Sequence, residues 1–374
     1  MAASLLCDNI RRQVGQGKLV GAVFLDLSRA FDTIHHGKLI NELATYGISG
    51  QELNWLTDYL FDRHQSIDIN KSLSPAQPLY CGVPQGTILG PLLFIIFFND
   101  ITTQIKNSEI IQYADDTVIY LADKDVTEIA KLLNEDLEAI SGYFYESELL
   151  MNLKKGKTES MLFGTSQRLS KLDTTLQLYY RGEKVYNTDT YKYLGNIVDP
   201  ALTLNLDFDQ KYRKASARLR LMTKVRSFLN AEAAKKVYEA MVTPVMTYCH
   251  LIHSSITKSQ SGKLKSLKSR ATEIIGNVDI QDIENTMKLR SCLFVRKCLE
   301  KRLCNVFDDY FQVKEHSQNT RNNNSLLVLP RVKLEYERKA LYFYGAKIYN
   351  ELPLAIRKLD KFNEFESHLK TYFN

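Results

Sequence analysis

The chain has 374 residues, 44% of them hydrophobic and 25% charged, an ordinary balance for a soluble globular protein of two or three domains. Its formal net charge of +6 is unevenly placed: residues 1–199 carry 18 Lys+Arg against 25 Asp+Glu, and residues 200–374 carry 31 against 18. The six cysteines, at 7, 81, 249, 292, 298 and 304, match no zinc spacing and no disulfide framework, which excludes those classes and makes a reduced, intracellular setting the default.

An acidic front and a basic back suit a protein that holds metal ions in one part and a polyanion with the other, although uneven solvated surface charge accounts for the count equally well. Met1–Gln16 has no apolar core flanked by a cleavage site, so no signal peptide is expected. Val20–Leu25 reads as a buried strand that stops at Asp26. Lys38–Tyr46 has helical spacing and is broken by Gly47; Ser49 and Glu52 then form the pattern of a capping box for a helix over Gly50–Phe61. No basic recognition face follows the turn, so the pair is not read as a DNA-reading helix-turn-helix. His35 and His36 are expected to be polar surface residues rather than metal ligands.

Gln65–Asn70 alternates like a short strand, and the loop Ser72–Pro78 leads into Cys81–Pro91, which holds Gly82, Gly86 and Gly90 with Pro84 and Pro91. The apolar run Pro91–Phe98 is too short to cross a bilayer and reads as a buried core segment. Ile110–Tyr120 predicts two strands with Asp115 and Asp116 at the tip of the hairpin, and Thr127–Tyr145 has the apolar spacing of a helix. Strands are expected again at Ser160–Phe163, Gln177–Tyr180 and Tyr191–Val198. From about residue 205 the pattern is helical. Lys211–Leu229 interleaves Lys211, Arg213, Lys214, Arg218, Arg220, Lys224 and Arg226 with apolar residues, Ala231–Met241 ends before Pro244, and the tail from about 280 is helical around a polar break at Ser317–Ser325.

Asp26, Asp115 and Asp116 stand out because each lies where a strand ends. Converging carboxylates at such a rigid edge suit Mg²⁺, which prefers hard oxygen ligands and keeps positions open for substrate phosphates. Spacing alone leaves a purely structural role open, since aspartate is common at strand ends and turns.

The surrounding residues carry more information. Phe24–Asp32 (FLDLSRAFD), Gly82–Leu92 (GVPQGTILGPL) and Tyr113–Thr117 (YADDT) occur in this order. Lys154–Thr158 with Met161–Gly164 follows, and then Tyr191–Gly195 (YKYLG). Together these segments resemble motifs A to E of reverse transcriptases, in the form typical of non-LTR (LINE-type) retrotransposons. The resemblance is clear over roughly residues 5–275, and Phe343–Ala346 with Asn350–Pro353 resembles the region downstream of the polymerase in such elements.

The resemblance implies an α+β fold: a palm with an antiparallel sheet flanked by helices, then a helical thumb and a mostly helical C-terminal region. The implied boundaries are a residual pre-palm helix over 1–20, the palm over 21–200, the thumb over 201–275 and an extension over 276–374. The implied activity is RNA-directed DNA polymerisation with two Mg²⁺ ions (Mn²⁺ as an alternative), an RNA template, a DNA primer and dNTPs, and no membrane. Asp26, Asp115 and Asp116 are the implied metal ligands, joined by the carbonyl of Leu27. Phe31 is the implied steric gate against a ribose 2′-OH, with a core phenylalanine as the competing reading. Gln85 and Gly86 line the nucleotide pocket. Lys157 is placed to neutralise or protonate the departing pyrophosphate, although Asn152 stands two residues before the position where the family often has asparagine. Tyr193, Leu194 and Gly195 form the turn that grips the primer end, and Lys211, Arg213, Lys214, Arg218 and Arg220 contact phosphates of the hybrid.

A complete enzyme of this family has a fingers region ahead of motif A, and Arg11 and Arg12 alone do not replace it. The chain is therefore expected to be truncated at its start. A non-catalytic nucleic-acid-binding remnant is the alternative, and a group II intron maturase shares the motifs but fits the wording of motifs A and B less well.

Overall fold

The structure is a computed structural model that describes residues 1–253, 256–276, 278–314 and 326–373. The expected break at Ser317–Ser325 lies outside the described residues. The chain divides into two compact units: Lys18–Tyr193, and Ala3–Gly17 together with Leu194–Asn374. The fold is α+β, with the five-stranded sheet confined to the first unit.

That sheet has the order β5–β4–β1–β3–β2, with β1 Leu19–Leu25, β2 Glu109–Tyr113, β3 Asp116–Asp123, β4 Glu159–Phe163 and β5 Tyr186–Asn187. All seven residues of β1 are buried, as a central strand covered on both faces requires. β1 pairs antiparallel with β3 and β4, but β5 runs parallel to β4. The sheet is therefore mixed where an antiparallel one was expected: the connection after β4 is long enough to cross over and return to the edge in the same direction. The helix Val126–Glu146 begins on Asp125, whose side chain accepts the Thr127 N–H, and buries Ile129, Leu133, Leu137, Ile140 and Phe144 at helical spacing.

Other elements depart from expectation in instructive ways. Ser49 precedes the helix Gly50–Leu60 but makes no side-chain cap, so the Ser49/Glu52 capping box does not form. The stretch expected to be one strand and a loop is a nested hairpin, Arg63–Gln65 on Gln77–Leu79 and Asp68–Ile69 on Ser72–Leu73. Asn70 and Lys71 both have positive φ (52° and 68°) at its tip, the signature of a tight primed turn. The apolar helix Leu89–Phe98 buries Leu93, Phe94, Phe97 and Phe98 but exposes Leu92 and Ile95, so it is only half the core segment its composition implied. Among the described residues no helix is long and apolar enough to cross a membrane.

Among its described residues the second unit shows two apolar cores. One gathers the helices Asn205–Val225, Ala231–Met241 and Lys258–Ile275 around Phe208, Leu219, Tyr238, Leu267 and Ile275. The other gathers Ile283–Leu299, Leu341–Asn350 and Phe362–Phe373 around Val295, Phe307, Tyr349 and Phe365. The N-terminal helix Ala2–Gly15 belongs to this unit. Its Arg11 is buried and donates to the carbonyls of Ile252 and Lys339, each at 3.0 Å. Arg12 stacks on Tyr342 and Tyr310 at 4.7 and 5.7 Å from the ring centroids. Both arginines are thus engaged in holding this unit together.

His250 supplies a pH test of this unit. Burial, and then the charge of Arg290, push its imidazole down to about 4, against a hydrogen bond to Thr247 that raises it. The unfolded chain, with an ordinary histidine near 6.5, takes up the proton first. Stability from this residue is therefore complete above about pH 6.5 and is lost as pH falls toward 4, by roughly 2 kcal/mol at pH 5. Urea unfolding at pH 7 and pH 5 should show this loss and a smaller one in His250→Gln; equal losses in the two proteins would contradict it.

Candidate active site

Strand register builds the acidic site. The β1–β3 pairing ends at Leu25↔Thr117, so the next residues outward, Asp26 and Asp116, lie at the same end of neighbouring strands. Tyr113 pairs with Asp116 across β2 and β3, which leaves Ala114 and Asp115 as the two residues of the hairpin turn. Ala114 takes a φ of +54° there, a conformation unusual for an L-residue with a Cβ and one that persists only where the surroundings impose it.

The segment after the helix Val126–Glu146 clamps Asp26 from behind. The Asp26 N–H donates to Thr158 Oγ1 at 3.1 Å, and the Asp26 carbonyl accepts the Asn152 N–H at 2.8 Å. Leu27 is buried and bridges Met151 on the same rung, and the Ser28 N–H donates to Leu150 O. Lys157 places its ammonium 3.4 Å from Asp26 Oδ1. The lysine expected at the leaving group thus pairs with a site carboxylate. Thr158, through its hydroxyl, and Asn152, through its backbone N–H, are neighbours of Asp26 whose contact no spacing rule shows, because they lie far from it in the chain.

Charge in this corner is crowded. The Asp116 carboxyl is raised above the ordinary carboxylate range, first by burial and then by the negative charges of Asp115 and Asp26, with Lys157 pulling the other way. A divalent cation would relieve that repulsion, and hard carboxylate oxygens are the donors that magnesium-like ions select. Among the described residues no three acidic, histidine or cysteine side chains converge tightly enough to enclose an ion by themselves. The residues still fit such an ion, because magnesium sites at phosphate-processing centres use one or two carboxylates and leave the rest to water and substrate. Tyr191, stacked on Phe24 with ring centroids 4.1 Å apart, also senses the site: burial, then the charges of Asp26 and Asp116, push its phenol above the usual range.

Beside the acidic corner, the Gly82 segment folds onto the loop that follows Asp26. The Val83 N–H donates to Phe31 O at 2.9 Å and the Gly82 N–H to Ile34 O at 2.8 Å. Gly82 has a φ of +89°, and any Cβ there would come within 3.0 Å of the Asp32 carbonyl oxygen, so only glycine fits. His36 corrects its expectation as a polar surface residue. It is buried, its Nε2 hydrogen-bonds Gly82 O at 2.8 Å, and burial lowers its imidazole's affinity for protons.

Gln85 Nε2 donates to Asp32 Oδ1 at 2.7 Å, on the wall of a cavity of about 470 Å³ that Arg29 and Arg63 also line. Phe31 is half-buried, its ring stacked on Phe94 with centroids 4.5 Å apart. Gly86 follows Gln85 on the exposed loop, with a φ of +78°.

The remaining site residues divide between the two units. Tyr193 is buried in the first, where its ring lies 5.6 Å from that of Phe24, and Leu194 and Gly195 open the second. On the helix Asn205–Val225, Arg213, Lys214 and Arg220 are exposed, and Arg218 donates to Met241 O at 2.7 Å. Lys211 is a correction. It is buried and paired with Asp207 at 2.7 Å, so it faces the inside of its unit instead of contacting phosphates. Its position in a run of seven basic residues hid the fact that helical spacing turns it inward beside Phe208, Ala215 and Leu219.

The family model described as reverse transcriptase (RNA-dependent DNA polymerase) matches residues 6–198. The RNA-directed DNA polymerase from mobile element jockey of Drosophila melanogaster is 25% identical over 284 residues, 72% of this chain and 30% of that protein. The probable RNA-directed DNA polymerase from transposon BS of the same species is 27% identical over 270 residues, 68% of this chain and 28% of that protein. This chain therefore spans under a third of the length of these curated relatives. Apo telomerase from Candida tropicalis aligns over 82% of this chain and 56% of that chain, with a TM-score of 0.39 and 9% identity.

Proposed function

The chain belongs to the reverse transcriptase (RNA-dependent DNA polymerase) family, and from that premise we propose that it is the polymerase part of a non-LTR retrotransposon product, adding dNTPs to a primer 3′-OH along an RNA template inside the cell. The observation that carries this reading is the strand register that brings Asp26 and Asp116 to one sheet edge, with Asp115 in the adjoining turn. Domains of this family generally use divalent metal ions; two Mg²⁺ ions, or Mn²⁺, held by Asp26, Asp115, Asp116 and the Leu27 carbonyl would supply charge neutralisation at the attacking and leaving oxygens.

The chain's own residues do the positioning, which is most of the work in phosphoryl transfer. The backbone of Asn152 and the hydroxyl of Thr158 hold Asp26 in place. Lys157 balances carboxylate charge in the resting site, and is free to turn to the pyrophosphate once a cation replaces it. Gln85 and Gly86 line the nucleotide pocket, with the Gln85 amide oriented by Asp32. Tyr193, Leu194 and Gly195 grip the primer end. Arg213, Lys214, Arg218 and Arg220 contact hybrid phosphates without reading sequence, which makes affinity fall with salt.

Template-dependent incorporation on poly(rA)/oligo(dT) with Mg²⁺ tests the reading. Hybrid binding without incorporation would overturn it for this chain and favour a non-catalytic remnant. Phe31 provides a sharper expectation. Its ring, braced by Phe94, is the gate against the ribose 2′-OH, so Phe31→Ala should lower discrimination against ribonucleotides by roughly tenfold, in line with what one small group is worth in a binding pocket. Single-nucleotide additions with dTTP and UTP measure this. A proportionate loss with both nucleotides would show a core phenylalanine only.

A further inference from the structure

We propose that a polar knot, buried at Asp207 and Lys211 and closed on its solvent side by the exposed Tyr248, holds the turn Leu194–Ile197 in its primer-gripping shape, which makes these three the positioning residues of the primer terminus. The proposal rests on the polymerase reading above and deepens it.

The turn needs support from outside. Leu194 has a φ of +45°, a left-handed conformation that is unfavourable for an ordinary L-residue and persists only where its surroundings impose it. Its carbonyl accepts two hydrogen bonds, from Tyr248 Oη at 2.9 Å and from Asn196 Nδ2 at 3.1 Å. The Tyr248 ring also lies flush against Gly195, where an added Cβ would stand 3.3 Å from Cε1. Two residues on, the Ile197 N–H donates to Asp207 Oδ1 at 2.8 Å.

Lys211 closes the knot. Its ammonium meets Asp207 Oδ2 at 2.7 Å, Asn196 Oδ1 at 2.9 Å and the Tyr248 carbonyl at 3.0 Å. Three acceptors match its three protons. His253 Nε2 reaches Asp207 Oδ2 at 2.7 Å from the other side. The side chains of Asp207, His253 and Lys211 are only 1%, 6% and 9% exposed, so water cannot substitute for a lost partner. Every arm of the knot ends on the turn or on the segment 248–253. A buried ion pair is weak evidence of net stability, and its best-attested use is to fix one arrangement among several. Here the arrangement fixed is that of the turn on the helix Asn205–Val225.

The experiment uses the full chain and two variants. Tyr248→Phe removes only the hydroxyl that supports Leu194, and Lys211→Met removes the central charge at similar length. The turn amides are followed by hydrogen–deuterium exchange, and primer extension is resolved into the Kd for the hybrid, the KM for dTTP and the rate of first-nucleotide addition. In Tyr248→Phe, exchange at 194–197 should quicken and first addition should slow by about fivefold, the scale of one lost hydrogen bond. The dTTP KM and the melting temperature should change little. Lys211→Met should show the same pattern more strongly; if it does not fold, Tyr248→Phe alone decides. Unchanged exchange in Tyr248→Phe overturns the knot whatever the polymerase does. Faster exchange with unaltered extension overturns the positioning role. A wild-type chain that incorporates nothing fails the polymerase reading, and the positioning role with it, while exchange still reports separately on the knot.

Discussion

Asp115→Asn should abolish template-dependent incorporation, with a loss of roughly 10³-fold, the scale on which removing one preorganised electrostatic group acts at a phosphoryl or acyl centre. The substitution keeps size and shape, and asparagine suits a turn position as well as aspartate does, so the hairpin should persist. It also removes one of the two charges that raise the Asp116 carboxyl. The melting temperature should therefore hold or rise slightly, and hybrid binding, which depends on cationic side chains, should not change. Extension of oligo(dT) on poly(rA), thermal melting and a hybrid-binding titration check the three parts together. Activity within tenfold of wild type would remove Asp115 from the site.

The second large effect is on stability. Arg11→Met should destabilise the unit formed by residues 3–17 and 194–374 by about 3 kcal/mol, the cost of leaving two buried carbonyls without a donor. Arg11 is 3% exposed and satisfies two carbonyls, those of Ile252 and Lys339, that are far apart in sequence. One turn away, the buried Asp8 accepts from Tyr310 Oη and from the Leu341 N–H; burial raises its carboxyl above the ordinary range, and these bonds, then Arg11, pull the other way. Methionine fills the volume but leaves both carbonyls without that donor. Denaturant unfolding followed by helical circular dichroism measures the loss. Arg12→Ala makes the comparison: its stacking on Tyr342 is worth only about 1 kcal/mol, so equal losses from the two variants would contradict the argument from burial.

The five motifs named the family because each is a local string whose chemistry depends on residue type and order: a carboxylate where a strand stops, glycines that let backbone approach, and paired acids of which one lies in a hairpin turn and the next opens a strand. The elements carrying them were legible for the same reason. Val126–Glu146 shows its apolar stripe in sequence, and the hairpin around Asp115 and Asp116 is bounded by strong β-formers. The capping box at Ser49 and Glu52 was a matching string that did not form its hydrogen bonds, since a cap depends on side-chain geometry that a pattern does not determine.

Long-range pairing alone decided the rest. No spacing rule links Asp26 to Asn152 and Thr158, or His36 to Gly82; those contacts exist because strands and loops distant in sequence become neighbours in the folded chain. Lys211 shows the limit most clearly. Composition made it one of seven similar basic residues, and helical phase with burial made it the centre of a closed polar knot. Residue type is a property of the string, so the acidic chemistry could be read from it. Which charges face water and which face each other is a property of packing, so the clamp on Asp26, the inward lysine and the two structural arginines emerged only in three dimensions.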